Sequence, residues 1–391
     1  MYDIVIIGGG PVGSYLAGRL AEAGDKVLTL ERKGELEEQV CCTGIVSWEC
    51  VNSFAIDNNV ILKWTDSATI FSPSGRLLRL QQEKTQACIL NRPAFNLAMA
   101  RQAQSKGVEY VLNCLVRDVQ ISHNGVSIKA TWQKEKLNFK ARAAVIATGF
   151  DSNFGERLGL GKVRDFALGA QAEVETNSLE GIEVYLGRKV APGFFAWLVP
   201  LQPKRALVGL LSRHSPELYL RKLISSLLTQ QKITSVMEKI SYRGVSLKPP
   251  ARTYGLRLLI VGDAAGQVKP VTGGGIYYGL LSADIAANIL HQALKTNDLS
   301  AKNLANYERE WKQKLGRELQ IAYYARKLYE HLGDKQIDGL FDMMSSNGIV
   351  EALLKAEDLS FDWHAKAILR ALKLTGRRIL SKPFRRRGFL K

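Results

Sequence analysis

The segment Gly8-Gly9-Gly10-Pro11-Val12-Gly13 constrains this chain more than any other stretch. It lies between a short apolar run, Tyr2–Ile7, and a helical run from about Val12 to Ala23 that Gly24 punctuates. A strand that enters a glycine turn and leaves it as a helix opens a βαβ unit. In such a turn Gly8 permits the tight bend and Gly10 lets the backbone approach a pyrophosphate. Gly13 allows the helix to pack closely on the strand, and the helix N-terminus favours negative charge. A second strand, Lys26–Leu30, ends at Glu31, the distance at which a carboxylate reaches a ribose hydroxyl. That acid repels a 2′-phosphate, which argues against NADP here and leaves NAD or FAD.

A second glycine motif follows far along the chain. The apolar run from Leu258 to Val261 leads into Gly262-Asp263-Ala264-Ala265, then Pro270, Gly273-Gly274-Gly275 and Ile276. A strand that ends in Gly-Asp can present its carboxylate to a ribityl hydroxyl. The glycines then start a helix, through about Leu294, whose amides can face a flavin's pyrimidine edge. This pairing selects FAD.

Between the two motifs the pattern is mostly strand. Residues 65–82 read as a hairpin turning at Ser72–Gly75, and Pro93–Lys106 as a helix ended by Gly107. Val108–Asn113, then 115–121, 126–132 and 136–141 read as strands, with Asn124-Gly125 as a hairpin turn. Ala144–Ala147 reads as a further strand. Phe166–Glu175, Glu183–Leu186, Phe194–Pro200 and Arg205–Leu211 are strand-like, a helix is expected near 216–230, and from about 303 the pattern is helical.

Composition excludes several classes. With 391 residues, 46% hydrophobic and 23% charged, the chain is globular and large enough for two or three packed units. No uncharged apolar run reaches the roughly 18–20 residues of a bilayer span, and a secretory signal is not expected, because ordered-looking sequence starts at Tyr2 with no charged n-region before it. The five cysteines, Cys41, Cys42, Cys50, Cys88 and Cys114, are odd in number and lack CxxC spacing. A disulfide framework and a zinc site are therefore not expected, Cys50, Cys88 and Cys114 are expected in the core, and a cytoplasmic setting fits. The five histidines show no ligand spacing, so no metal is expected. The net charge is +17, but residues 366–391 hold ten Lys or Arg and no acid, leaving +7 elsewhere. That distribution does not suit a nucleic-acid partner.

These motifs give the chain a specific likeness. It resembles the FAD-dependent oxidoreductases of the para-hydroxybenzoate hydroxylase-like superfamily, and within them the geranylgeranyl reductase family, over roughly residues 1–295. Gly8–Gly13 with Glu31-Arg32 matches the ADP-binding element. Asn91-Arg92-Pro93-Ala94-Phe95 matches the segment whose arginine lies near the pyrophosphate, and Val116 the backbone contact to adenine. Gly262-Asp263 and Gly275-Ile276 match the ribityl and isoalloxazine contacts. Cys42-Thr43-Gly44 resembles the Cys-x-Gly segment beside the flavin, which makes Cys42 and Gly44 site candidates. Phe195-Ala196-Trp197-Leu198-Val199-Pro200 resembles the aromatic-x-Trp-x-x-Pro motif, with Phe195 where many relatives carry Tyr. It implies that Phe195, Trp197 and Pro200 stand along a long apolar substrate cavity.

The implied fold is α/β. A Rossmann-type FAD-binding domain is assembled from discontinuous segments, 1–64, 88–162 and 256–297, and an inserted β-sheet substrate domain comprises 65–87 and 163–255. A C-terminal helical region with a basic tail spans 298–391. The implied activity is reduction of carbon–carbon double bonds in a polyprenyl lipid or quinone chain, fed by an external reductant (NADPH, NADH or ferredoxin) that the residues do not specify. No side chain follows as catalytic, although Cys42 would lie near the flavin. A flavin monooxygenase or halogenase on the same fold is an alternative; Phe195 interrupts the paired-tryptophan motif of the halogenases. A lipid-binding flavoprotein without turnover is another. In the tail, Lys366, Arg370, Lys373 and Arg377 form one helical stripe opposite Ile368, Leu369 and Leu372, which suits peripheral binding to an anionic membrane surface.

Overall fold

A computed structural model of the chain describes residues 1–38, 40–81, 85–150, 154–177, 179–346 and 360–375. Its first sheet is built on the strand Tyr2–Ile7, which lies in parallel between Val27–Leu30 and the end of Glu135–Ile146. Leu258–Ile260 and Glu109–Val111 add in parallel on the two outer sides. Parallel strands covered on both faces are apolar throughout, and the pleat sends alternate residues to opposite layers. Ile4 and Ile6 accordingly meet Leu16 and Leu20 of the helix Pro11–Glu22. Val5 and Ile7 face the other layer with Val116, Val126 and Ile128.

Helix Pro11–Glu22 packs between Arg92–Ser105 and Ile276–Lys295. Gly18 permits the first approach, since a Cβ there would already touch Ala103 at 3.4 Å. The second glycine motif is thereby placed beside the first, although about 250 residues of sequence separate them.

The sequence divides 136–141 from 144–147, but the structure forms one strand, Glu135–Ile146. Its first half pairs antiparallel with Gly125–Trp132 and its second half parallel with Tyr2–Ile7; Ala141 is opposite a residue of each. Partners on successive edges keep the backbone extended through Arg142 without a break.

The second sheet runs in the order 233–236, 166–176, 205–212, 195–202, 182–186, 67–71, 77–81, with 241–246 also paired to 166–176. Helix Pro216–Thr229 covers one face with Leu220, Leu223, Ile224 and Leu227. The other face packs Ile182, Val199 and Leu207 against Ile45, Leu62 and Ile89 of three short strands. The expected hairpin at 65–82 is present as Ser67–Phe71 and Leu77–Gln81. A third sheet of Ile45–Ser47, Ala87–Leu90 and Ile61–Thr65 has no counterpart in the sequence reading. Its strands are only three to five residues long, too short for alternation to register.

The C-terminal region is helical, as its periodicity implies. Helices Ala301–Trp311 and Arg317–His331 are joined by a π-helical turn, Lys312–Gly316, and Asp334–Ser346 and Ala365–Thr375 follow. Of the basic tail, residues 376–391 lie outside the described part.

Candidate cofactor and substrate site

Backbone geometry at the first loop demands glycine. Gly8 has φ +111°, and a Cβ there would lie 2.4 Å from the Ala147 carbonyl oxygen. A Cβ at Gly13 would lie 2.1 Å from the Gly8 carbonyl oxygen. These two glycines close strand, turn and helix onto one another. Gly10 differs: nothing stands within 4 Å of where its Cβ would be. That space opens into a cavity of about 630 Å³ lined by Gly8, Gly10, Val12, Glu31, Arg32, Arg92, Val116, Gly262 and Asp263.

Glu31 is buried at the end of its strand. Its Oε2 accepts the Gly9 N–H at 2.7 Å and its Oε1 the Lys33 N–H at 2.9 Å. The carboxylate is thus fixed at the rim of the glycine loop with lone pairs left for a diol.

Arg92 begins the helix Arg92–Ser105, whose N-cap Asn91 accepts the Ala94 N–H at 3.2 Å. The guanidinium is buried, and its Nε and Nη1 have no partner. Burial pulls its pKa below the usual arginine range. A buried guanidinium with two unpaired nitrogens is costly unless an anion meets it. Gly44, at φ +73°, passes behind it, where a Cβ would strike the Leu90 carbonyl oxygen at 2.6 Å. Thr148 Oγ1 and Asn96 Oδ1 are likewise buried without partners, and both residues line the larger cavity. An open Gly10, an orphaned arginine and a pre-set carboxylate fit the pyrophosphate and ribose of a dinucleotide.

Val12 ties the two motifs together, since its side chain fills the space above Gly262 and Gly279. Asp263 follows Gly262, and a Cβ on Gly275 would meet its Oδ1 at 2.3 Å. The carboxylate is also ion-paired with Arg243 at 2.6 Å, and that pairing raises the arginine's pKa. No spacing rule points to Arg243, because it reaches Asp263 from a strand of the other sheet. Gly273, Gly274, Gly275 and Ile276 form the entry to helix Ile276–Lys295 and do not line the larger cavity.

A smaller cavity of about 310 Å³ adjoins the first, and Val40 and Arg92 line both. Its walls include Cys42, Thr43, Leu62, Leu90, Leu201 and Leu207, and also Gln171, Glu173, Arg205 and Lys239. The wall therefore mixes apolar and charged groups, where the sequence implies apolar groups throughout. Glu173 is buried and paired to Arg205 at 2.5 Å. Gln171 and Glu173 alternate on the strand Phe166–Thr176 and face the cavity together, opposite Gly209 and Leu207 of the neighbouring strand. Strand alternation could have suggested that shared face, but not which side is buried.

Phe195, Trp197 and Pro200 do not line this cavity. Trp197 lies on the same face as Leu207, one row away, with its ring laid across Gly209 and tilted against Phe195 at 5.8 Å. Pro200 is buried on the opposite pleat. The cysteines are all free, with Cys50, Cys88 and Cys114 buried as expected. Cys42 Sγ accepts the Gly44 N–H at 3.4 Å. Tyr277 and Tyr278, at the start of the long helix, have committed hydroxyls: one donates to Glu49 at 2.5 Å and the other to the Asp362 carbonyl at 2.7 Å.

Comparison with known proteins agrees with this geometry. The lycopene cyclase protein family matches residues 3–343. A digeranylgeranylglycerophospholipid reductase of Methanocaldococcus jannaschii is 30% identical over 361 residues, 89% of this chain and 91% of the relative. Another, from Methanocella arvoryzae, is 30% identical over 86% of this chain and 89% of its own. The crystal structure of a geranylgeranyl bacteriochlorophyll reductase-like protein from Thermoplasma acidophilum superposes with TM-score 0.84 at 27% identity, covering 95% of each chain. A variant of the halogenase PltM in complex with FAD superposes with TM-score 0.70 at 14% identity, over 98% of this chain and 93% of its own, which shows the common fold. With the family match and the two reductases spanning nearly all of it, this chain belongs to the geranylgeranyl reductase family of FAD-dependent oxidoreductases, within the broader lycopene cyclase family.

Proposed function

We propose that this enzyme reduces carbon–carbon double bonds in the polyprenyl chain of a lipid. The observation that carries the reading is the junction of the two cavities at Arg92, which brings a pocket walled by Leu62, Leu90, Leu201 and Leu207 against the dinucleotide cavity. The names of the relatives support a prenyl glycerolipid as substrate class.

FAD, when bound and reduced, would supply hydride to one alkene carbon while a proton drawn from solvent reaches the other. The chain's part is to bind, orient and keep water out. The open backbone at Gly10 and the Arg92 guanidinium hold the pyrophosphate. Glu31 takes the ribose hydroxyls, Val116 contacts the adenine, and Asp263 takes the ribityl chain once Arg243 shares it. Residues Gly273–Ile276 present backbone amides to the pyrimidine edge. Cys42 and Gly44 shape the side that faces the substrate. The sheet around Phe195, Trp197 and Pro200 supports the apolar wall and excludes water from the reacting carbons.

The test is anaerobic incubation of the FAD-loaded, dithionite-reduced protein with geranylgeranyl glycerolipids, followed by mass spectrometry. Gains of two hydrogens per turnover are expected, with the flavin reoxidised. Reoxidation only in oxygen, with oxygen entering the product, would replace this reading with that of a monooxygenase.

We further propose that the C-terminal helix holds the enzyme at an anionic bilayer surface. Among the described residues no helix is long and apolar enough to cross a membrane. On Ala365–Thr375, Leu369 and Leu372 are exposed beside Lys366, Arg370 and Lys373. Each basic residue near such a surface contributes about 1 kcal/mol, attenuated by salt. A chain ending at Ala365 is expected to keep FAD yet to co-sediment far less with anionic vesicles at low salt, while neutral vesicles retain neither form. Equal sedimentation of the two forms would remove the membrane assignment.

A further inference from the structure

Residues 360–365 return from the C-terminal region to the underside of the Gly273–Gly275 loop. Asp362 there meets Lys269: Nζ lies 2.6 Å from Oδ1, with the two side chains 5% and 1% exposed. Lys269 also closes the loop through its backbone, donating to the Gly274 carbonyl at 3.0 Å and accepting the Gly273 N–H at 2.8 Å. Its stem runs directly beneath Gly274, where a Cβ would lie 2.8 Å from Cε.

Asp362 is held firmly. Tyr278 donates to its carbonyl, Trp363 packs on Tyr278 at 5.7 Å and donates to Glu49, and the Glu318 carboxylate accepts the N–H groups of His364 and Ala365 at 2.5 and 2.9 Å. A buried ion pair is a poor stability device, because desolvating two charges offsets their attraction. Here the balance is poorer still, since Asp362 Oδ2 is buried without a partner. The position of the pair is its distinguishing property. It places a cation, with little water to screen it, under the loop whose amides, on the FAD reading above, would face the flavin's pyrimidine edge, where electron density gathers on reduction. Burial, and after it the Lys269 charge, hold His364 down to about 4.

We propose that Lys269 and Asp362 are positioning residues of the cofactor site: the pair holds the Gly273–Gly275 loop in place and sets the reduction potential of the bound FAD. This rests on the FAD reading above. Asp362→Asn leaves the ammonium unopposed, so the midpoint potential rises; Lys269→Met removes the cation, so it falls. Each shift should amount to about a tenfold change in the ratio of affinities for reduced and oxidised FAD, about 30 mV for a two-electron couple.

The experiment is spectroelectrochemical titration of the FAD-loaded full chain, with melting temperature and FAD affinity measured alongside. If either single variant fails to fold, Lys269→Met/Asp362→Leu carries the test, because well-packed apolar replacement of a buried pair is tolerated. Its potential should lie below wild type, since Lys269 stands nearer the loop than Asp362. Variants that melt lower or bind FAD more weakly, yet hold FAD at the wild-type potential, would overturn the inference and leave a purely structural pair. Wild-type protein that takes up no FAD would instead overturn the FAD reading itself.

Discussion

Gly10→Ala is expected to leave the melting temperature of the apoprotein unchanged and to weaken FAD binding at least tenfold, whereas Gly13→Ala lowers both. The two glycines stand three residues apart in one loop but have opposite surroundings. A methyl group on Gly10 enters open space, and the backbone there, φ −69°, suits alanine. It obstructs only a ligand that needs to approach the main chain. A methyl group on Gly13 meets the Gly8 carbonyl oxygen at 2.1 Å, so the helix must be pushed off the strand. Overpacking of this kind costs about 1–3 kcal/mol. In a domain of this size that lowers the melting temperature by roughly 2–4 °C per kcal/mol. Thermal melts with and without FAD, and fluorescence titration of the flavin, measure both effects. An unchanged FAD affinity in Gly10→Ala would mean that the pyrophosphate does not approach this backbone.

Trp197→Arg is expected to lower prenyl turnover more than 100-fold while the protein still binds FAD. The indole lies across Gly209, one row from Leu207 of the smaller cavity, and its Nε1 is buried without a partner. A guanidinium in that row either stays buried without an anion, which costs several kcal/mol, or turns into the cavity where the alkene must lie. Trp197→Phe keeps an apolar plate over Gly209 and should retain activity within about tenfold, on the scale of a tolerated apolar exchange. Turnover is read by mass spectrometry and FAD content by absorbance after desalting. Full activity in Trp197→Arg would detach this strand from the substrate site.

What could be read from the sequence was whatever the backbone itself demands. Gly8 and Gly13 are glycines because oxygen atoms occupy the space of their side chains, and Glu31 sits a fixed number of residues later because strand, turn and helix have fixed lengths. The strand Glu135–Ile146 reads as two pieces in the sequence because its change of partner at Ala141 leaves no mark on hydrophobic pattern. Arg243 on Asp263, Arg205 on Glu173 and Asp362 on Lys269 could not be read at all. Each joins elements whose meeting is set by tertiary packing, and a charged residue on a strand or loop otherwise reads as a solvated one. The substrate face shows both sides of this. Its aromatic motif lies in a sheet that also walls the smaller cavity, but the lining residues are Leu201 and Leu207, not Phe195, Trp197 or Pro200.

The strand order of the first sheet also fixes when the site can exist during synthesis. The edge of Glu135–Ile146 that will receive Leu258–Ile260 has no partner until more than a hundred further residues have been made. At about 5–20 residues per second this amounts to on the order of ten seconds with a bare parallel edge, a surface prone to pairing with other chains. Asp263, the Gly273–Gly275 loop and finally Asp362 arrive later still. The Gly8–Gly13 loop is therefore made well before the Gly262-Asp263 and Gly273–Gly275 segments that the fold sets beside it, so on the FAD reading proposed above only the last-made part of the chain would complete the cofactor site.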